Sequence, residues 1–207
     1  MILVGTGVAE ATPDPSTVGS GSPQQPAAGE VTSAGSAAQG PVFGRVMVTG
    51  HRPHHLDADQ QAWSQVMLAR VAAQLAGMHG ARHCISGLAL GADTWWAVAG
   101  LAAGMRLHVY VPFEAQAAKW SGEQQALWRQ LRAAASREVL VGGRDYDVRM
   151  LHARNDAMLA DADLVVALLR SDATSGGTHS TVSKGRHSGR PMLLLDPVTQ
   201  RVDRVGW

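Results

Sequence analysis

From residue 164 to residue 178 the chain reads LVVALLRSDATSGGT. The opening run, Leu164 to Leu169, is apolar without interruption, the pattern of a strand covered on both faces rather than one. It stops at Arg170 and gives way to Thr174-Ser175-Gly176-Gly177-Thr178, after which a weak helical pattern runs from about His179 to Ser188. A buried strand, a glycine-bearing turn and a helix together make the repeating half of a βαβ unit.

The same unit recurs upstream. Val46-Met47-Val48, His83-Cys84-Ile85 and Leu107-His108-Val109-Tyr110-Val111 are further strand runs, Met192-Leu193-Leu194-Leu195 follows, and Glu138-Val139-Leu140-Val141 is a weaker sixth. Between them lie helical patterns. Trp63, Val66, Met67, Val71 and Leu75 fall on one face, with Asp57 or Asp59 placed to cap the first turn. Thr94 to Ala103 is Ala-rich and ends at Gly104, a suitable C′ residue. Ser121 can cap a helix to about Ala135 with Ala126, Leu127, Gln130, Leu131 and Ala134 along its face, and another helix spans about Val148 to Ala160. The alternation predicts an α/β fold, a Rossmann-like open and mainly parallel sheet with helices on both faces.

Upstream of this pattern, Ala9 to Gly40 is almost wholly Ala, Gly, Pro, Ser, Thr and Gln, too poor in aliphatic side chains to offset the entropy of ordering the backbone. Residues 1–44 therefore read as a flexible extension, with Met1 to Val8 either a frayed terminus or a short docked strand, the former favoured, and residues 45–207 as one domain.

Lys and Arg number 18 against 17 Asp and Glu, and a net charge of +1 argues against nucleic acid and against anionic membranes as partners. Asp93 and several glycines interrupt the most apolar stretch, Ile85 to Met105, so no membrane span is read there, and Met1 to Gly7 lacks the cationic region of a secretory signal. The single cysteine, Cys84, lies in an apolar run and reads as a buried thiol in a reducing, cytoplasmic compartment. A homo-oligomer is compatible with all of this.

In an open parallel sheet the strand-to-helix junctions gather on the edge where ligands bind. At the first, Thr49-Gly50-His51-Arg52-Pro53, the glycine admits close backbone approach and Arg52 offers a bidentate fork for phosphate. The second, Ser86-Gly87-Leu88-Ala89-Leu90-Gly91-Ala92-Asp93, opens into a helix whose free amides favour anions. Asp93 would repel a phosphate placed there, so its partner is a ribose hydroxyl or the helix's own amides, and Gly87 and Gly91 serve either a ligand or a tight turn. The third, Ser175-Gly176-Gly177-Thr178, exposes successive N–H groups able to cradle a phosphate. Arg154 is placed either to reach a phosphate or as an ordinary surface arginine, and Phe113 and Trp120 either to stack on a base or to fill the core. His51, His54 and His55 have no companion ligands for a metal shell, so no metal and no resident cofactor are expected.

The order Arg154-Asn155-Asp156-Ala157-Met158, Asp161 to Leu168 and Ser175-Gly176-Gly177-Thr178 resembles the signature of the SLOG superfamily, which unites DNA-processing protein A (DprA, Smf) with the Lonely Guy phosphoribohydrolases. Thr49 to Pro53, Ser86-Gly87 with Gly91-Ala92-Asp93, and Pro112-Phe113-Glu114 with Gln116 and Trp120 resemble its YpsA-like branch. The resemblance spans roughly Arg45 to Pro197. It implies a pocket for a nucleotide-type small molecule, a mononucleotide or an ADP-ribose-like compound, contacted by Pro112, Phe113, Arg154 and Asn155 as well as by the three loops. In the Lonely Guy enzymes the arginine matching Arg154 is the electrostatic catalyst and works with a glutamate that follows the glycine turn. Here Thr178-His179-Ser180-Thr181-Val182-Ser183 supplies no such carboxylate, so binding is favoured over hydrolysis. A DprA-like grip on single-stranded DNA is the weakest reading, since no basic aromatic groove is evident.

Overall fold

A computed structural model describes residues 40–207. Seven strands, β1 (Arg45–Gly50), β2 (His83–Ser86), β3 (Arg106–Val111), β4 (Arg137–Leu140), β5 (Leu164–Leu168), β6 (Met192–Asp196) and β7 (Arg201–Val205), form one sheet in the order β4-β3-β2-β1-β5-β6-β7. All pairs are parallel except β6 with β7. From β1 the chain winds outward through β2 and β3 to β4, then crosses back to place β5 on the other side of β1. The carboxyl ends of β1 and β5 thus flank the switch point at which an open α/β sheet forms its crevice.

The helices are α1 (Ala58–Met78), α2 (Ala92–Ala102), α3 (Gly122–Ala133), α4 (Val148–Asp161) and α5 (Gly177–His187). Alternate strand residues feed two cores. Val46 and Val48 join Leu68, Leu75, Trp96, Trp128 and Leu131 from α1, α2 and α3, while Met47, Ile85 and Val165 meet Met158, Leu159 and Val182 from α4 and α5. Both faces are therefore covered, which is why the strand runs are apolar throughout. Asp57 and Ser121 each close a capping box, with Gln60 and Gln124 as the reciprocal partners.

Four details depart from the sequence reading. On α1 the inward face is Leu68, Val71, Ala72 and Leu75 with Ser64, flanked by Trp63 and Met67, while Val66 is half exposed. On α3 only Leu131 of the expected stripe points inward; Trp128 is the other anchor, and Ala126, Leu127, Gln130 and Ala134 face solvent. The true stripe follows the large ring, over which the Arg132 guanidinium lies 4.5 Å from the centroid. The folded region also starts ahead of Arg45: Phe43 is buried, donates its N–H to the His79 carbonyl at 2.9 Å and packs edge-on against Trp207. Finally, β7 has no counterpart in the expected strands, because its Arg-Val-Asp-Arg-Val sequence is largely solvent-facing and lacks an apolar run. The expected frayed terminus at Met1 to Val8 and the linker from Ala9 onward lie outside the described residues, apart from Gly40.

Cys84 is sealed against Gly100, where a Cβ would lie 2.4 Å from its sulfur, and burial pushes the thiol up to about 12. No helix among the described residues is long and apolar enough to cross a membrane.

Candidate functional site

A cleft of about 850 Å³ opens at the β1/β5 switch point. Its walls come from the end of β1 (Thr49, Gly50, His51 and Arg52), the segment from Arg170 to Thr178, and α4, with Ala89 and Asp93 contributing from the β2 side. Gly50 makes the close passage feasible, since a Cβ there would lie 2.4 Å from that of Ala92 and 2.8 Å from that of Leu168.

The β5 side of the cleft presents the start of α5. Gly176 takes φ of 100° and no side chain caps the helix; Ser180 makes the first return bond to the Gly176 carbonyl. The leading amides of Gly177 and Thr178 therefore stand at the positive end of the helix dipole beside the cleft. Asn155 donates to Thr181 Oγ1 at 3.2 Å, and that hydroxyl returns to the Gly177 carbonyl at 2.9 Å, tying α4 to the same turn.

Two arginines flank this turn differently. Arg52 forms no ion pair or side-chain hydrogen bond among the described residues. Arg170 is built into the wall: it pairs with Asp172 at 2.6 Å, donates to the His55 carbonyl at 2.7 Å, and its backbone N–H donates to His51 Nε2 at 3.1 Å. Burial, then His55 and Arg170, hold the His51 imidazole below its ordinary range, and burial, then His54 and Arg170, do the same to His55. Both rings are thereby biased toward the neutral form. Among the described residues no group of three or more His, Cys, Asp or Glu could hold a metal ion.

Arg154 is not a surface arginine. It is 6% exposed, and its Nη1 donates to Asp93 Oδ2 at 2.8 Å beneath the cleft. The partner of Asp93 is thus Arg154 together with the Ala89 amide at 3.3 Å. Gly87 exists for this pair: a Cβ there would lie 1.1 Å from Arg154 Nη1. The rest of the second loop is structural. Ser86 Oγ donates to the Asp93 carbonyl and accepts from Leu88 N–H, Leu88 is fully buried at φ of 50°, and Gly91, at φ of 91°, avoids the His51 carbonyl, to which Ala92 N–H donates. Ser86, Gly87, Leu88, Gly91 and Ala92 do not line the cleft. Nor do Pro112 and Phe113, which are buried, with Phe113 packed edge-on against Tyr146. Trp120 packs against the core beside α3.

The structure brings Thr49, Gly50, His51, Arg52, Asp93, Arg154, Asn155, Ser175, Gly176, Gly177 and Thr178 together around one cleft. Sequence reasoning missed Arg170 and the α4 stripe of Val148, Leu151 and His152. Both had signals. Arg170 is the charge that ends the longest apolar run, and positions 148, 151, 152 and 155 share the i, i+3, i+4, i+7 spacing of one helix face.

Among solved structures the fold is similar to DprA from Streptococcus pneumoniae, at 17% identity and a TM-score of 0.54, covering 73% of this chain and 50% of that one. It is similar to DprA from Helicobacter pylori, described for its single-stranded DNA binding mode, at 18% identity and a TM-score of 0.54, covering 77% and 70%. A molybdenum cofactor binding protein from Rippkaea orientalis aligns at 18% identity and a TM-score of 0.47, covering 73% and 76%. The chain therefore spans half the length of the pneumococcal protein. No curated protein matches the chain. The family model described as the YspA SLOG family (YpsA) matches residues 46–189, well over half of the chain's 207 residues, and the chain belongs to that family.

Proposed function

We propose that the switch-point cleft binds or senses a nucleotide or nucleotide-derived molecule, a mononucleotide or an ADP-ribose-like compound. The observation that carries this reading is the uncapped start of α5 on Gly176 and Gly177, facing a cleft that also holds Arg52, whose side chain has no partner among the described residues. Phosphate meets amides and a guanidinium there, each giving charge-assisted hydrogen bonds. Val148 and Leu151 give the α4 wall an apolar surface for a base.

The test is calorimetric titration with AMP and ADP-ribose. Saturable binding is expected, and Gly177→Asp should weaken it by roughly 30- to 1,000-fold, about 2–4 kcal/mol, because the new carboxylate stands where the phosphate charge belongs. The variant should stay folded, since the nearest atom to a Cβ at Gly177 is Asn155 Nδ2 at 3.8 Å. Undiminished binding by Gly177→Asp would remove the phosphate from α5. A mixed-sequence single strand that outcompetes AMP would favour DNA, the ligand described for the Helicobacter pylori protein.

A hydrolase is the second reading, and the Asp93 carboxylate beside Arg154 favours it, because N-glycosidic cleavage needs a negative charge to steady an oxocarbenium ion. Glu114 of the Pro112-Phe113-Glu114 motif does not line the cleft. Chromatography after incubation with AMP, CMP and GMP should show no free base above background. Release of base by the parent that Arg154→Lys abolishes, in a variant whose melting shows it still folded, would establish the hydrolase instead.

A further inference from the structure

Beneath the cleft, two almost fully buried charged groups keep hydrogen-bonding capacity that no described residue uses. Asp93 Oδ2 takes both Arg154 Nη1 and the Ala89 amide. Its other oxygen, Oδ1, accepts no hydrogen bond from a described residue, yet it is not among the polar atoms sealed from solvent. Arg154 Nη2 is in the same position, whereas Arg154 Nε is sealed and unpaired. The side chains of Arg154 and Asp93 are only 7% and 8% exposed, and both residues line the cleft. What remains open of this pair is therefore directed at whatever the cleft holds.

The pair is also held rigidly. Arg154 lies over Gly87, whose missing Cβ makes the room, and Gln116 Nε2 donates to the Gly87 carbonyl at 2.9 Å. Ser86 Oγ donates to the Asp93 carbonyl at 2.7 Å. Groups fixed in this way lose little freedom on binding and discriminate sharply by geometry.

A carboxylate oxygen only accepts and a guanidinium only donates. A phosphate oxygen would suit Arg154 but be repelled by Asp93, and an ammonium would suit Asp93 but be repelled by Arg154. A hydroxyl satisfies both, donating to Oδ1 while accepting from Nη2. We infer that Asp93 and Arg154 together hold a sugar hydroxyl, so that the cleft selects ribosyl ligands over those lacking the 2′ and 3′ hydroxyls. This rests on the nucleotide reading above and assigns the paired floor of the same cleft to the sugar, apart from the phosphate end at α5.

The test is calorimetric titration of the full chain with AMP and its 2′-deoxy, 3′-deoxy and 2′,3′-dideoxy analogues. The dideoxy compound should bind about 10- to 100-fold more weakly than AMP, the range for a hydrogen bond to a charged group, with most of the loss traceable to one hydroxyl. In Asp93→Asn the AMP-to-dideoxy ratio should collapse to about threefold or less, because the charged acceptor is gone. If that variant does not fold, the analogue series on the unaltered chain decides alone. Equal binding of AMP and the dideoxy compound, with Gly177→Asp weakening both, overturns the sugar assignment and leaves the phosphate site standing. Discrimination that survives in folded Asp93→Asn also overturns it, and failure of AMP, all its analogues and ADP-ribose to bind overturns both readings.

Discussion

The turn after β2 and the turn after β5 look alike in sequence, since each leaves a buried parallel strand, carries glycines and opens a helix. They are alike in backbone too: Gly91 and Gly176 sit at the two N-caps with φ of 91° and 100°, and neither helix has a side-chain cap. They differ in what occupies the space above them. At Gly87 that space is filled by Arg154, and at Gly91 by the His51 carbonyl, 2.6 Å from where a Cβ would be. Among the described residues, nothing lies within 4 Å of a Cβ built at Gly176, and only Asn155 Nδ2, at 3.8 Å, does so at Gly177. Gly87 is thus explained by the guanidinium that fills the space above it, whereas Gly176 is explained by its positive φ and leaves that space open among the described residues.

The sharpest way to break this comparison is to add one methyl group to each turn. Gly87→Ala forces the Arg154 guanidinium out, leaving Asp93 buried without its partner, and should cost about 3–5 kcal/mol in urea unfolding. Gly177→Ala should stay within about 0.5 kcal/mol of the parent. Similar losses at both positions would show that the two turns are equally packed. The pair itself can be examined by a cycle: Arg154→Met alone should be severe, and adding Asp93→Leu should recover about 1–3 kcal/mol, because the orphaned carboxylate is what makes the single change costly.

This contrast marks the limit of what the chain discloses. The central strands were legible because burial on both faces leaves continuous runs such as Leu164 to Leu168, and the caps were legible because Asp57 and Ser121 act on residues three positions away. The closure of the β2 turn was not, since Asp93 and Arg154 are 61 residues apart and nothing local distinguishes a buried arginine from an exposed one. The β7 edge was hidden for the opposite reason: a strand that buries little leaves little pattern. Of the candidate site, the β1 and β5 turns could be read from position, whereas Pro112, carried by resemblance, and Phe113, read as either a base stacker or core, lie away from the cleft.

A smaller effect separates cations on the open side. Arg52→Ala removes a side chain without a described protein partner, so stability should change by no more than about 0.5 kcal/mol while AMP affinity falls about 5- to 30-fold, the loss of one charge-assisted contact. Thermal melting and calorimetry on the same sample check both halves. A stability loss larger than the binding loss would make Arg52 part of the wall, as Arg170 is.

The smallest expected effect concerns His51, which joins the two turns. Its carbonyl accepts from Ala92 N–H at 3.3 Å on the β2 side, and its Nε2 accepts from Arg170 N–H at 3.1 Å on the β5 side. Only the second bond depends on protonation, because a charged imidazole has no lone pair to offer. Burial, His55 and Arg170 set the folded ring below the ordinary value of 6.5, against a weaker opposing pull from Asp172. The unfolded chain therefore takes up this proton first, so the contribution is complete above pH 6.5 and is lost as pH falls through the folded value. One hydrogen bond bounds the effect at about 0.5–1.5 kcal/mol. Urea unfolding at pH 7.5 and pH 5 should show a loss in the parent that is smaller in His51→Gln. Hydrogen exchange should place it on one side: the Arg170 amide loses protection on acidification and the Ala92 amide does not. Equal loss at both amides would mean that the two turns open as one unit, and the distinction between a filled and an open turn would then be one of shape without independent stability.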